Sequence, residues 1–168
     1  MQLSVDAFPK IAQPLLKIFH VDFKPPRQPS KGEVVLASLV AIVGSLAIDW
    51  VLVFIGTRVF PSTKGFVHFK FSDYSKLTVI GVVVACLAWP VVTRITSSPR
   101  WLFYRMAIAV TIVLLAPDGY IWVNGEPTNA VFVLVVMHLA IAVVTYYSLV
   151  VLAPTRRVRG RSTSPSLS

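Results

Sequence analysis

Two residues of this 168-residue chain stand where an ionisable group is costly. Asp49 lies within LAIDWVLVFIG, residues 46 to 56, and is the one charged residue between Val34 and Gly56. His138 lies within VVMHLAIAVVTYY and is the one residue that titrates near neutral pH in the uncharged run Ala130 to Ala153. Asp49 precedes Gly56 by seven residues and His138 follows Ala130 by eight. At about 1.5 Å per helical residue, both sit roughly 10 to 12 Å below a common boundary. A lone charge near the middle of a membrane helix costs roughly 2.5 to 3.5 kcal/mol, so Asp49 is expected to turn inward and find a partner. His138 is available, and a carboxylate beside an imidazole can hold or pass a proton. Two readings of the pair stay open. It is a proton-handling or ligand site open to the outer face, or a hydrogen bond that fixes how the first apolar segment docks on the fourth.

Other candidates are weaker in pattern. Asp118 follows Pro117 and precedes Gly119, which reads as a solvated turn or helix cap. Should the third segment run on to Trp122 instead, Asp118 would line the same outer cavity and join His68, Asp73 or Arg58 there. His68, His138, Asp49 and Asp118 are metal-ligand types, yet no two stand at a ligand spacing such as HExxH, so neither a metal nor another cofactor is expected. A phosphate-cradling glycine loop and a nucleophile elbow are both missing from the sequence, and the chain reads as non-enzymatic. The single cysteine, Cys86, excludes the paired-cysteine chemistry of four-helix thiol oxidoreductases of the vitamin K epoxide reductase type. One intramembrane histidine likewise excludes bis-histidine haem ligation within one chain.

The elements that must position these groups follow from composition. Hydrophobic residues make up 55% of the chain and charged ones 14%, and the apolar residues gather in long runs. Because hydrocarbon leaves no partner for unpaired backbone groups, such runs form membrane-spanning helices of roughly 20 residues. The expected fold is all-α, an integral membrane four-helix bundle with spans at about 34–56, 77–93, 101–117 and 130–153, and Pro90 kinking the second. Trp89, Trp101 and Tyr104 mark one interfacial belt; Tyr74, Tyr120 and Trp122 mark the other. Ala37, Ala41 and Ser45 on the first span, and Gly81 with Ala85 on the second, offer small faces for close packing within the bundle or between copies.

Residues 1–33 read as an N-terminal segment carrying a short interfacial helix, its apolar face built from Phe8, Ile11, Leu15, Ile18 and Phe19. KPPRQPSKG should be an extended connector holding that helix off the first span. Residues 154–168 read as a disordered basic tail. Twelve Lys and Arg residues fall in the N-terminal segment, the second loop with its adjoining helix end, and the tail, against Arg58, Lys64, Lys70 and Lys76 on the other side. That asymmetry puts both termini in the cytoplasm of a plasma-membrane protein. The net charge of +9 then serves anionic lipid head groups at the cytoplasmic face, not nucleic acid, because no base-stacking aromatics interleave the basic residues.

FSDYSKLTVIGVVVACLAWPVVTR, followed by LLAPDG and VVMHLAIAVVTYY, resembles a family of small actinobacterial four-helix membrane proteins of unknown function, over roughly residues 34 to 152. That resemblance implies no activity and assigns no site residue. The leading functional expectation is an accessory or assembly subunit, as a homo-oligomer or in a larger membrane complex. The alternative is a small proton-coupled transporter using Asp49 and His138, and behind it a quinone- or haem-linked oxidoreductase.

Overall fold

The computed structural model describes residues 9, 13–18, 21 and 25–156, and these are helical throughout apart from short connections. In chain order the helices are α1 (Gln13–Ile18), α2 (Lys31–Val59), α3 (Phe71–Ile95), α4 (Pro99–Val123) and α5 (Thr128–Leu152), with two single-turn 3-10 segments in the α2–α3 loop. From α2 to α5, each helix is long and apolar enough to cross a membrane. Their outward faces are bare hydrocarbon, with Val43, Leu77, Leu87 and Val113 all exposed. Water would not tolerate so continuous an apolar surface, whereas lipid matches it.

In lipid, helices associate through close packing and polar contacts, because lipid tails are as apolar as leucine. The central pair is α2 against α5, running antiparallel. Ala37, Ala41, Ser45 and Asp49 recur every fourth residue on α2, and all four are fully buried. Gly44 and Gly56 extend the seam: a β-carbon at Gly44 would lie 3.1 Å from Val144 Cγ1, and one at Gly56 only 2.9 Å from Val133 Cγ2. The small-residue face of α2 therefore serves packing inside the bundle. Its counterpart on α3 differs, since Gly81 is exposed and a β-carbon there would meet nothing within 4 Å. α3 packs on α2, α4 packs chiefly on α5, and α4 is the least buried of the four.

Two apolar clusters fill the bundle. One joins Ala37, Val82, Cys86, Trp89, Leu102, Phe103 and Leu149 in the half that contains the α3–α4 connection. The other joins Phe69, Tyr74, Ala130, Val133, Leu134 and Met137 in the half that contains the α2–α3 loop. The first half is also closed by polar contacts. Trp89 Nε1 donates to the Ala153 carbonyl at 3.1 Å. Gln28 Nε2 donates to the Thr93 carbonyl at 2.8 Å while Thr93 Oγ1 donates to Gln28 Oε1 at 2.6 Å. Arg27 and Arg156 exchange backbone hydrogen bonds of 2.9 and 3.1 Å. A capping box starts α2: the Ser30 hydroxyl accepts from the Glu33 amide, and Glu33 Oε2 accepts from the Ser30 amide at 2.7 Å. The second oxygen of Glu33 pairs with Arg156 at 3.1 Å.

The helix limits differ from expectation. The segment around Arg27 and Gln28 docks on the bundle, the Gln28 amide on Thr93 of α3 and the Arg27 backbone on Arg156 just past α5. α3 begins at Phe71, six residues before the uncharged run, since Asp73 and Lys76 can lie above a hydrocarbon boundary within one continuous helix. α4 passes through Pro117 and ends at Val123 instead of stopping at the proline. A proline removes one backbone hydrogen bond, which membrane helices accommodate. Of the expected interfacial helix, Gln13–Ile18 is described, and the rest of its apolar face lies outside the described residues, as does the tail from residue 157.

Candidate functional site

Because α4 continues past Pro117, Asp118 sits on the inward stripe that includes Phe103 and is 5% exposed, not in a solvated turn. The consequence is a polar layer between the two apolar clusters to which every span contributes. α2 brings Asp49, α3 brings Thr78, α4 brings Asp118 and α5 brings His138. Ser45 and Thr145 continue it one turn along the α2–α5 seam, their hydroxyls 3.4 Å apart.

The partners within the layer are not those the sequence suggests. Asp49 does not bond His138; its Oδ2 accepts a 2.6 Å hydrogen bond from the Thr78 hydroxyl. Asp49 and His138 lie within electrostatic reach of each other, as do Asp49 and Tyr74, one turn from Thr78. His138 instead meets Asp118, with Nδ1 3.0 Å from Asp118 Oδ2. The same Nδ1 lies 3.0 Å from the Leu134 carbonyl. One N–H cannot point along both directions, and it is the carbonyl of the preceding turn that lies in line. Asp118 Oδ2 is thus at ion-pair distance yet receives no hydrogen bond of acceptable geometry. The same holds for Asp49 Oδ1, and these are the buried side-chain oxygens without a donor among the described residues.

Such oxygens are unusual. Buried polar atoms are nearly always paired, because desolvating an acceptor without replacing its hydrogen bond costs about 1 to 3 kcal/mol and more if it is charged. Burial within the layer is uneven: Asp49 is wholly buried and Asp118 is 5% exposed, whereas 28% of the His138 side chain is exposed.

The remaining sequence candidates stay outside. Arg58 lies over the Phe54 ring at 4.9 Å, His68 stands edge-on to Phe66 at 5.2 Å, and Asp73 is contacted by the Ser72 hydroxyl at 3.5 Å. Among the described residues no three metal-ligating side chains converge. Thr78 is the member that sequence reasoning missed. Its signal was the four-residue spacing of Tyr74, Thr78, Val82 and Cys86, which are all buried on one face of α3.

The profile of a protein family of unknown function, DUF6069, matches residues 25–157. That range takes in all four spans and the whole polar layer, and the chain belongs to this family. No curated protein and no solved structure matches it.

Proposed function

We propose that this DUF6069 member is a multi-pass plasma-membrane protein that binds and releases a proton at the four-helix polar layer, as a small proton-coupled transporter does. Asp49, Asp118 and His138 are the groups that hold the proton. The observation that carries the reading is the pair of donor-free carboxylate oxygens, Asp49 Oδ1 and Asp118 Oδ2, buried at one level. Polar residues that only glue helices together satisfy one another, since the benefit of such contacts lies in the hydrogen bonds they complete. Here two acceptors are held beside an imidazole, a set of groups able to bind a proton. The basic flanks orient the bundle with residues 1–33 and the tail toward the cytoplasm, so the layer lies nearer the outer face.

The test is proton uptake by detergent-purified protein in weakly buffered solution, stepped across the range that brackets histidine titration. Wild type should take up protons that Asp49→Asn and Asp118→Asn each reduce, with helical content unchanged. Equal uptake by wild type and both variants, accompanied by lowered thermal stability of the variants, would mean that the layer is packing glue.

A second reading, an accessory subunit of a larger membrane complex, draws on α4. Its long flank of Ile108, Val110, Ile112 and Val113 is exposed, and α5 is its main neighbour in the chain. Affinity purification in mild detergent separates the two: a stoichiometric protein partner supports this reading, and a bare bundle with full proton uptake supports the first.

A further inference from the structure

We propose that Arg27 and Arg156 form a two-guanidinium site for the phosphodiester head group of an anionic phospholipid, at the end of the bundle that holds the α3–α4 connection. The inference stands apart from the proton-site reading and concerns a different part of the molecule.

The site begins in the backbone. Arg27 and Arg156 form an antiparallel bridge in which each amide donates to the other residue's carbonyl, at 2.9 and 3.1 Å. In such a reciprocal pair the α-carbons stand about 5.5 Å apart, and both side chains leave on the same face. Like charges directly opposite each other repel, so this pairing carries a cost that its backbone bonds do not remove. Gln28, bonded through its amide group to the Thr93 carbonyl and hydroxyl, fixes the connector and holds the bridge against α3.

The protein's own acids do not match that charge. Glu33 is the one acid described at this end, beside Arg27, Lys31, Arg94, Arg100 and Arg156. Its Oε1 pairs with Arg156 Nη2 at 3.1 Å, and its Oε2 accepts from the Ser30 amide at 2.7 Å. Arg27 is exposed and has no acid partner among the described residues, while the Arg156 side chain remains 63% exposed.

A phosphodiester fits this arrangement. It carries one negative charge and two non-bridging oxygens, one for each guanidinium, and the planar arginine fork suits such oxygens. The position selects lipid as the source. Arg27 stands four residues before the start of α2 and Arg156 four residues past the end of α5, where head groups meet apolar spans. In the adjoining turns Val35, Leu36 and Val151 are exposed, which gives acyl chains a hydrocarbon surface next to the arginines. The general pull of basic flanks on anionic lipid thus becomes one site with a geometry fixed by the backbone.

The test measures thermal unfolding of the full-length protein in dodecyl maltoside micelles titrated with phosphatidylglycerol, with phosphatidylcholine and inorganic phosphate as parallel arms. Phosphatidylglycerol should raise the wild-type midpoint until the site saturates, because a ligand of the folded state stabilises it. Phosphatidylcholine, whose choline offsets the phosphate, and inorganic phosphate should not. Arg27→Gln keeps the backbone bonds of the bridge and should raise the half-saturating lipid concentration about tenfold, the scale of one lost charge-assisted hydrogen bond. Arg94→Gln, at the same end but outside the bridge, should shift it much less. Arg27→Glu is the second variant: it sets an acid opposite Arg156, so it should lose the lipid response yet melt no lower than wild type without lipid. Equal losses in Arg27→Gln and Arg94→Gln would overturn the site in favour of diffuse attraction. Stabilisation by inorganic phosphate as large as that by phosphatidylglycerol would overturn the lipid assignment. A wild type without a phosphatidylglycerol response, or an Arg27→Gln curve that matches wild type, would overturn the proposal outright.

Discussion

The two halves of the bundle handle buried polar groups in opposite ways. In the half around Trp89, each buried or half-buried hydrogen-bonding group that joins separate elements finds its complement: indole to Ala153, Thr93 to Gln28, Arg27 to Arg156. In the half around Asp49, four helices deliver polar side chains to one level, and two carboxylate oxygens remain without donors. Both halves have the same lipid around them and the same helices running through them. The difference therefore lies in the polar side chains each half buries: around Trp89 they complete one another's hydrogen bonds, and around Asp49 two acceptors are left over, which is the feature that the proposed proton site draws on.

Four substitutions can break or sharpen that contrast. The largest effect belongs to Trp89→Ala, which empties the centre of the first cluster where the ring is wholly buried and edge-on to Phe103 at 5.0 Å. It should lower unfolding free energy in micelles by about 3 to 5 kcal/mol, while proton uptake per folded molecule stays at the wild-type value. Next is Gly56→Ala, whose methyl would press on the stiff Val133 side chain at 2.9 Å. A loss of about 1 to 3 kcal/mol in the same denaturation assay is expected. Gln28→Ala removes the amide that ties the connector to α3 and should cost about 1 to 2 kcal/mol. If it also alters proton uptake, the halves are coupled and the contrast fails. Gly81→Ala, facing open space, should leave the melting temperature within the span of about 0.5 kcal/mol of wild type. A larger loss would show that something covers this face of α3.

Much of the architecture was legible in the sequence because hydrocarbon imposes one rule, a long uncharged helix, and four segments obey it. The limits of α3 and α4 were not. Asp73, Lys76 and the Pro117-Asp118-Gly119 triplet are stop signals for an apolar run, but a helix extends beyond the apolar layer and passes a proline when neighbours support it. That difference hid the site: Asp118 read as a turn because its local sequence is turn-like, whereas its helical register carries it inward to His138. Depth along the helices placed Asp49 and His138 at one level, yet depth gives no azimuth. Which carboxylate met which donor depended on how α3 and α4 pack around the central pair, and Thr78, an ordinary hydroxyl in an apolar run, carried no signal of its own apart from spacing.

The central pairing of α2 with α5 also has a consequence for how the molecule is made. A ribosome delivers α2 first of the four spans and α5 last, so the seam of Ala37, Ala41, Ser45 and Gly56 has no mate while α3 and α4 are being threaded into the bilayer. Until α5 arrives, Asp49 has only Thr78 on α3 to shield it, and Asp118 has no imidazole beside it. The chain short of α5 thus lacks the mate of its small-residue seam and the imidazole beside Asp118, and the last span supplies both.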